Sequence, residues 1–268
     1  MKNNSDFSIF KKLFSYRRRL FQGVYHDVKM RFAGSVLGIF WAILFPLAQL
    51  TIYAVLYAVI FKIRPSGLTE MQYVLLVFSG LVPLLIYNES VSTSISSLTA
   101  NKALLTTTVF PVELIPIRTS LSAQVPSFIG LIITLILGYV LGITGYKAII
   151  MIPILWTLLF MFIAGLSWML SLFALVLRDI QNIFSLITMM MIFLSPFAYT
   201  PDMVPSGLQA IIYMNPLSYF VIPFQEVVAY NEWPDPRIFT VTFLISISTF
   251  FFGFRVFQKT KGVFFDYV

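Results

Sequence analysis

Glu89, in Tyr87-Asn88-Glu89-Ser90, is an acid set inside a long apolar stretch. An ionisable group at membrane depth is costly and usually faces a cavity or a charged partner. It stands where a run of hydroxyls begins: Ser90, Ser92, Thr93, Ser94, Ser96, Ser97 and Thr99. Such a run can form a polar wall for a hydrophilic substrate. It can equally serve close helix packing, with Glu89 satisfied by a neighbour. Acid–base catalysis would need paired carboxylates at helical spacing, and the apolar segments carry none. A membrane enzyme is therefore a poor reading.

A second constellation is aromatic. Trp41, Phe45, Gln49, Tyr53 and Tyr57 follow one another at i+4, a row that drifts slowly around a helix. Aromatic faces can stack on the apolar faces of sugars, while Gln49 and the tyrosine hydroxyls can hydrogen-bond sugar hydroxyls. Phe193, Phe197 and Tyr199 offer a comparable set further on. The competing reading is ordinary: Trp and Tyr favour membrane interfaces and Phe faces lipid.

Other chemistry is missing from the sequence. There is no Gly-x-x-x-x-Gly-Lys-Ser/Thr loop, so ATP and its magnesium, if used, must be bound by a partner. The single histidine, His26, cannot build a metal cluster, and the absence of cysteine removes disulfides and thiolate sites.

The elements that must position these residues are helices in a bilayer. Of 268 residues, 59% are hydrophobic and 11% charged, with a mean hydropathy of +0.89. Soluble domains carry about a quarter charged residues. Apolar runs without alternation predict an all-α polytopic membrane protein rather than a barrel. Eight of the eighteen Lys and Arg lie in the first 31 residues, a distribution that suits an anionic leaflet better than a nucleic acid.

Residues 9–32 place Phe10, Leu13, Phe14, Phe21, Val24, Tyr25, Val28 and Phe32 at helical spacing among Lys11, Lys12, Arg17, Arg18, Arg19, Lys29 and Arg31. That is an interfacial amphipathic helix, either a charged anchor that sets topology or a lipid head-group site. The mixed-charge residues ahead of the first apolar run argue against a cleavable signal. Residues 1–33 thus read as a cytoplasmic surface helix and 34–268 as a six-span domain. The spans are expected near 34–61, 72–96, 113–142, 148–176, 181–200 and 238–257. With both termini cytoplasmic, fourteen Lys and Arg fall inside and four outside, as the positive-inside rule requires.

Two connections stand out. Residues 98–111 begin as a short helix, and Pro111 and Pro116 then restrict the approach to the third span. The external connection, 199–237, holds two apolar pieces, Leu208–Met214 and Leu217–Val228, too short to span and suited to re-entrant or interfacial helices. Asp202, Glu226, Glu232 and Asp235 make it acidic.

Four regions in order resemble the transmembrane subunits of ABC-2-type exporters of lipid-linked polysaccharides. They are Asp27-x-Lys29-x-Arg31-Phe32-x-Gly34-Ser35-Val36-Leu37-Gly38-x-x-Trp41 with Pro46; Asn101-Lys102-x-Leu104-Leu105 with Phe110-Pro111-x-Glu113-x-x-Pro116; Arg178-Asp179-Ile180; and Ser195-Pro196-x-x-Tyr199 with Pro205 and Asn215-Pro216-Leu217. Two departures are visible: Thr106-Thr107-Thr108 where relatives often carry basic residues, and Gln225-Glu226 where they often carry arginine.

The resemblance implies a homodimer in a bacterial inner membrane, working with two copies of a separate ATP-binding subunit. It implies that Asn101, Lys102, Leu104, Leu105, Phe110, Arg178 and Asp179 meet the ATPase, and that Pro196, Tyr199, Pro205, Asn215 and Pro216 form an external gate. Arg17, Arg18, Arg19, Lys29 and Arg31 would collect a pyrophosphate head group. Trp41, Phe45, Gln49, Tyr53, Tyr57, Glu89, Phe193 and Phe197 would line the glycan path. O-antigen is the expected cargo. Teichoic acid or capsule is the alternative, ahead of a drug exporter or an intramembrane glycosyl- or acyltransferase.

Overall fold

The computed structural model describes residues 5–60, 67–101, 111–177 and 179–264, and every regular element among them is helical. Helix α1, Ser5–Arg31, buries Ile9, Leu20 and Val28 and exposes Arg17, Arg18, Arg19 and Lys29. After a turn, α2 (Trp41–Ala54) follows a short 3₁₀ segment and runs on into a π-helical turn over Val55–Ile60. Pro46 lies inside α2, where it has no N–H to give the ladder. Its ring presses on Gly130, where an added Cβ would sit 3.0 Å from the Pro46 Cβ.

Helix α3, Glu70–Ile95, is started by a capping box: Gln72 N–H donates to Thr69 Oγ1 at 3.3 Å and Thr69 N–H to Gln72 Oε1 at 3.0 Å. It is the axis of the bundle. Its most apolar window is 78% buried, against 17% for the window that contains α2. A hairpin follows, α4 (Leu114–Val140) and α5 (Tyr146–Val176). The last helix, α9 (Pro236–Phe264), lies along α5 with almost no gap. A Cβ on Gly165 would fall 2.2 Å from Thr249 O, and one on Gly253 would fall 2.2 Å from Gly165 O. Small residues that let backbones touch are the usual means of helix association where lipid competes with apolar side chains.

Among the described residues, five helical segments are long and apolar enough to cross a membrane: Gly38–Tyr57, Glu70–Ile95, Leu114–Val140, Tyr146–Val176 and Pro236–Gly262. The remaining predicted span, 181–200, is shorter than expected. Helix α6 covers Ile180–Leu194, about 22 Å at 1.5 Å per residue, against roughly 30 Å of hydrocarbon. Pro196 explains its end, because a residue before proline avoids helical dihedrals and Ser195 is extended at φ −79, ψ 138.

Helix α6 still traverses the bundle. It starts at the end where α5 finishes, and the chain beyond it reaches Ala198, whose carbonyl accepts from Tyr73 near the opposite end of α3 at 2.9 Å. The first part of α1 and the last part of α9 lie together on the first side: Lys12 of α1 and Gln258 and Lys261 of α9 all reach Glu113.

On the far side, α7 (Gln209–Met214) and α8 (Ser218–Val228) match the two short pieces expected. Helix α8 turns back into the bundle: Phe220 packs on Phe162, halfway along α5, with centroids 5.1 Å apart, and nine of its eleven residues are buried. It is re-entrant rather than interfacial.

The α5–α9 contact carries a clear test. Gly253→Ala forces two backbones apart and is expected to cost about 3 kcal/mol, the upper end of the overpacking range. Gly262→Ala, with nothing within 4 Å of its added Cβ, should leave the thermal midpoint unchanged or slightly raised.

Candidate functional site

Among the described residues, three cross-element ion pairs fasten α1 to the bundle. Near its start, Lys12 hydrogen-bonds Glu113, the buried residue that opens α4. Gln258 donates to the same carboxylate at 3.1 Å and Lys261 stands 3.9 Å away, while Trp168 Nε1 donates to the Glu113 backbone carbonyl at 2.8 Å. Burial alone would raise this carboxyl, but the Lys12 hydrogen bond and the charges of Lys12 and Lys261 hold it below its ordinary value. Further along, Arg118 grips Asp27 with two bonds, Nε to Oδ2 at 2.8 Å and Nη2 to Oδ1 at 2.9 Å. At the end of α1, Arg31 Nη2 donates to Glu89 Oε2 at 2.7 Å.

The last two pairs border a polar cleft between α1, α2, α3 and α4. Its outer part, about 360 Å³, is lined by Asp27, Arg31, Thr93, Asn101, Arg118 and Ser122. Its inner part, about 160 Å³, is lined by Arg31, Phe45, Pro46, Gln49, Glu89 and Ser127. Arg31 belongs to both, so its pair with Glu89 stands between them. The arrangement can hold a hydroxylated or charged group at the α1 end of the bundle.

Glu89 is therefore satisfied by a neighbour and also faces a cavity. The hydroxyl run divides. Ser94 donates to Ser167 on α5 at 2.7 Å, and Ser90 and Ser97 are buried, which is packing. Thr93 faces the cleft. The aromatic row divides too. Phe45 and Gln49 line the inner cleft, with Trp41 5.2 Å from the Phe45 ring. Tyr53 and Tyr57, stacked 6.3 Å apart, lie at the other end of the span, and both meet Phe197 edge-on at 5.8 and 5.9 Å. Phe193 is 71% exposed and joins neither group.

The predicted gate residues finish α6. Its freed carbonyls need donors, as any helix end in a membrane does. Asn215 Nδ2 donates to Met191 O at 2.7 Å and to Ser195 Oγ at 2.9 Å, and Tyr199 donates to Leu194 O at 3.0 Å. Gln225 Nε2 donates to Pro196 O at 2.9 Å and Phe197 O at 3.1 Å. Gly80 leaves room for this contact, since its Cβ would meet Gln225 Nε2 at 2.7 Å and Phe197 Cα at 2.9 Å. Pro216 is half-buried beside Asn215, while Pro205 is exposed in the loop before α7.

Of the expected coupling residues, Asn101 hydrogen-bonds the Ser97 carbonyl at 2.8 Å and lies 3.5 Å from Arg118, and Asp179 is exposed just before α6. Lys102, Leu104, Leu105, Phe110 and Arg178 lie outside the described residues.

Residues 19–228 match the ABC-2 type transporter family, a stretch that holds the cleft, the re-entrant helix and all but the last span. The chain belongs to this family. Along nearly its whole length it is similar to permeases for surface polysaccharides. It is 25% identical over 236 residues to the O-antigen export system permease protein RfbA of Klebsiella pneumoniae, covering 88% of this chain and 89% of that one. It is 22% identical over 256 residues to the RfbA of Myxococcus xanthus, covering 95% and 96%. Polysialic acid transport protein KpsM of Escherichia coli is 21% identical over 239 residues, covering 88% and 90%.

Sequence reading undervalued three residues of this ABC-2 transporter. Arg118 counted only toward topology, although a lone cation five residues into the apolar α4 calls for an acid, and Asp27 supplies it. Glu113 was one letter of a motif. Gln225 stood out as a departure, yet as a neutral donor it holds the end of α6.

At the far mouth, burial pushes the Glu226 carboxyl up, the Asp235 N–H at 3.1 Å pulls it back, and the charges of Asp235 and Glu232 push it up again, to about 7 overall. A folded-state value above the ordinary 4.5 gives stability that is full below 4.5 and is lost as pH rises through 7. Glu226→Gln should therefore raise the thermal midpoint at pH 8 and leave it nearly unchanged at pH 4, read by a melting series across that range.

Proposed function

We propose that this chain is the transmembrane permease of an ATP-driven exporter that moves a lipid-linked polysaccharide, O-antigen on a polyprenyl diphosphate carrier, outward across a bacterial inner membrane. The observation that carries this reading is similarity over 95% of the chain to an O-antigen permease. The polar cleft under the surface helix supports it, because a hydrated glycan needs such a lining and a drug-sized apolar cargo does not. Capsule export remains the second reading, favoured by the likeness to a polysialic acid transporter.

The α1 end, where both chain ends converge on Glu113, is taken as cytoplasmic, in keeping with the fourteen-to-four charge count. The chain has no phosphate-binding loop, so ATP and magnesium belong to a partner subunit. That partner would press on the segment that begins at Asn101 and on the turn at Arg178 and Asp179. Two copies of the chain would meet through α2 and α6, whose outward faces expose Ile43, Phe45, Leu47, Ile183, Leu186, Ile187, Met190 and Phe193. Arg17, Arg18, Arg19 and Lys29, all exposed on α1, would gather the anionic head group at the membrane surface.

Reconstitution with the ATP-binding subunit tests the whole scheme: a polyprenyl-diphosphate-linked glycan should cross the vesicle membrane only with ATP. Movement that ignores ATP, or no movement from an intact complex, overturns it. Reversing charge at Arg17, Arg18 and Arg19 together should lower transport roughly tenfold or more, since each surface cation contributes about 1 kcal/mol toward an anionic surface. Unchanged transport at equal membrane abundance removes those arginines from the scheme.

A further inference from the structure

We infer that the cleft binds a diphosphate by exchange on Arg31: phosphate oxygens take the place of the Glu89 carboxylate. The inference rests on the exporter reading for the identity of the anion, and on four features of the molecule for the exchange itself.

First, the two ion pairs at the cleft differ in kind. Asp27–Arg118 is bidentate and half-buried, with side chains 23% and 16% exposed. Arg31–Glu89 rests on a single contact, and both side chains are 41% exposed. A singly bonded, open pair adds little stability and is easily parted, whereas a bidentate, shielded one holds. Arg31 is the exchangeable cation and Arg118 the fixed one.

Second, Arg31 has spare capacity. A guanidinium carries five N–H donors in a planar fork that suits phosphate. Among the described residues Arg31 spends one of them, on Glu89. The cavity on its outer side, about 360 Å³, gives an anion room to approach without moving the backbone.

Third, the charges of α1 lead an anion to this point. Arg17, Arg18, Arg19 and Lys29 are exposed along the helix, and Arg31 is its last cation, followed by thirty uncharged residues. An anion that travels along α1 by its lipid tail meets Arg31 where the chain turns into the bilayer.

Fourth, the rest of α1 stays in place when the pair parts. Phe32 is buried with Val28 and Ala42, and Asp27–Arg118 and Lys12–Glu113 hold the helix to the bundle. The turn that follows keeps its own hydrogen bonds, Gly38 N–H to Ser35 Oγ at 2.9 Å among them. Exchange on Arg31 is therefore a side-chain event at the mouth of the cleft.

Exchange predicts opposite effects from the two partners. The intact complex with its ATP-binding subunit, in nanodiscs, is titrated with farnesyl diphosphate, inorganic pyrophosphate and phosphatidylglycerol. Arg31→Gln should weaken farnesyl diphosphate binding about tenfold or more, the worth of a charge-assisted hydrogen bond. Glu89→Gln, which withdraws the competing carboxylate, should tighten it several-fold, and Arg31→Lys should recover part of the loss. Misfolding cannot produce that gain. The same signs with pyrophosphate would place recognition in the head group alone. Equal binding of phosphatidylglycerol would overturn diphosphate selectivity. Both substitutions weakening binding, or neither changing it, would overturn the exchange. ATP-dependent glycan movement by the unmodified complex is scored separately: movement without the sign pattern removes the site and keeps the exporter, and the sign pattern without movement does the reverse.

Discussion

A charged carboxylate buried at a helix start must be compensated, and Glu113 draws its compensation from both ends of the chain. Lys12 comes from the surface helix and Gln258 and Lys261 from the end of the last span, and the Trp168 indole N–H holds the backbone carbonyl of the same residue. Removing a charge partner at such a site leaves an uncompensated ion, so the three segments are obliged to stay together. The arrangement follows from this contact, since it brings the first part of α1 and the last part of α9 together on one side of the bundle. The position of the cleft follows too, because α1 is led from Lys12 past Arg118 to Glu89.

Packing divides the molecule into a firm part and a loose one. Helices α3, α4, α5 and α8 build the large core around Leu76, Leu81, Leu159 and Phe224, and α9 packs on α5 through a second core around Trp168 and Phe254, the two touching backbone to backbone at Gly165 and Gly253. Helices α2 and α6 each give the large core one buried residue, Leu50 and Phe184. Helix α2 buries Ala42, Pro46 and Leu50, and α6 buries only Phe184 and Thr188. Their outward faces are apolar and need no protein partner while lipid covers them. At the far end Tyr53 and Tyr57 of the loosely held first span meet Phe197, which follows α6 and is itself buried in the large core, so the aromatic contact ties a loose element to a firm one.

The fold was largely legible because hydropathy and proline placement are local signals. Five helices long and apolar enough to span, the N-terminal helix and the two short helices after α6 stand where the sequence puts them. The shortness of α6 was also written locally, in Ser195-Pro196, but a 20-residue apolar run outweighed it. The cleft was only half legible. Glu89 announced itself by its surroundings, but its partner Arg31 is 58 positions away in a helix rich in cations. No spacing rule selects one of them. The i+4 aromatic row looked like a single wall, yet its eight-residue reach from Gln49 to Tyr57 spans about 12 Å, enough to place its members in different environments.

That reach makes α2 a connection between two unlike surroundings. At one end Phe45 and Gln49 face a polar cavity beside an exposed, singly bonded ion pair. At the other, Tyr53 and Tyr57 close on Phe197, whose carbonyl is held by Gln225 and whose backbone is drawn against Gly80. Beside the first group Pro46 breaks the α2 hydrogen-bond ladder, and the second group runs into the π turn Val55–Ile60, both of which lower resistance to bending. Helix α2 enters through the glycine turn that follows Arg31. A helix with few buried residues and two irregularities is tied to the core less firmly than its neighbours. The polar opening and the aromatic closure are thus joined through the least constrained span, while the firm half stays fixed by its glycine contact and by Glu113.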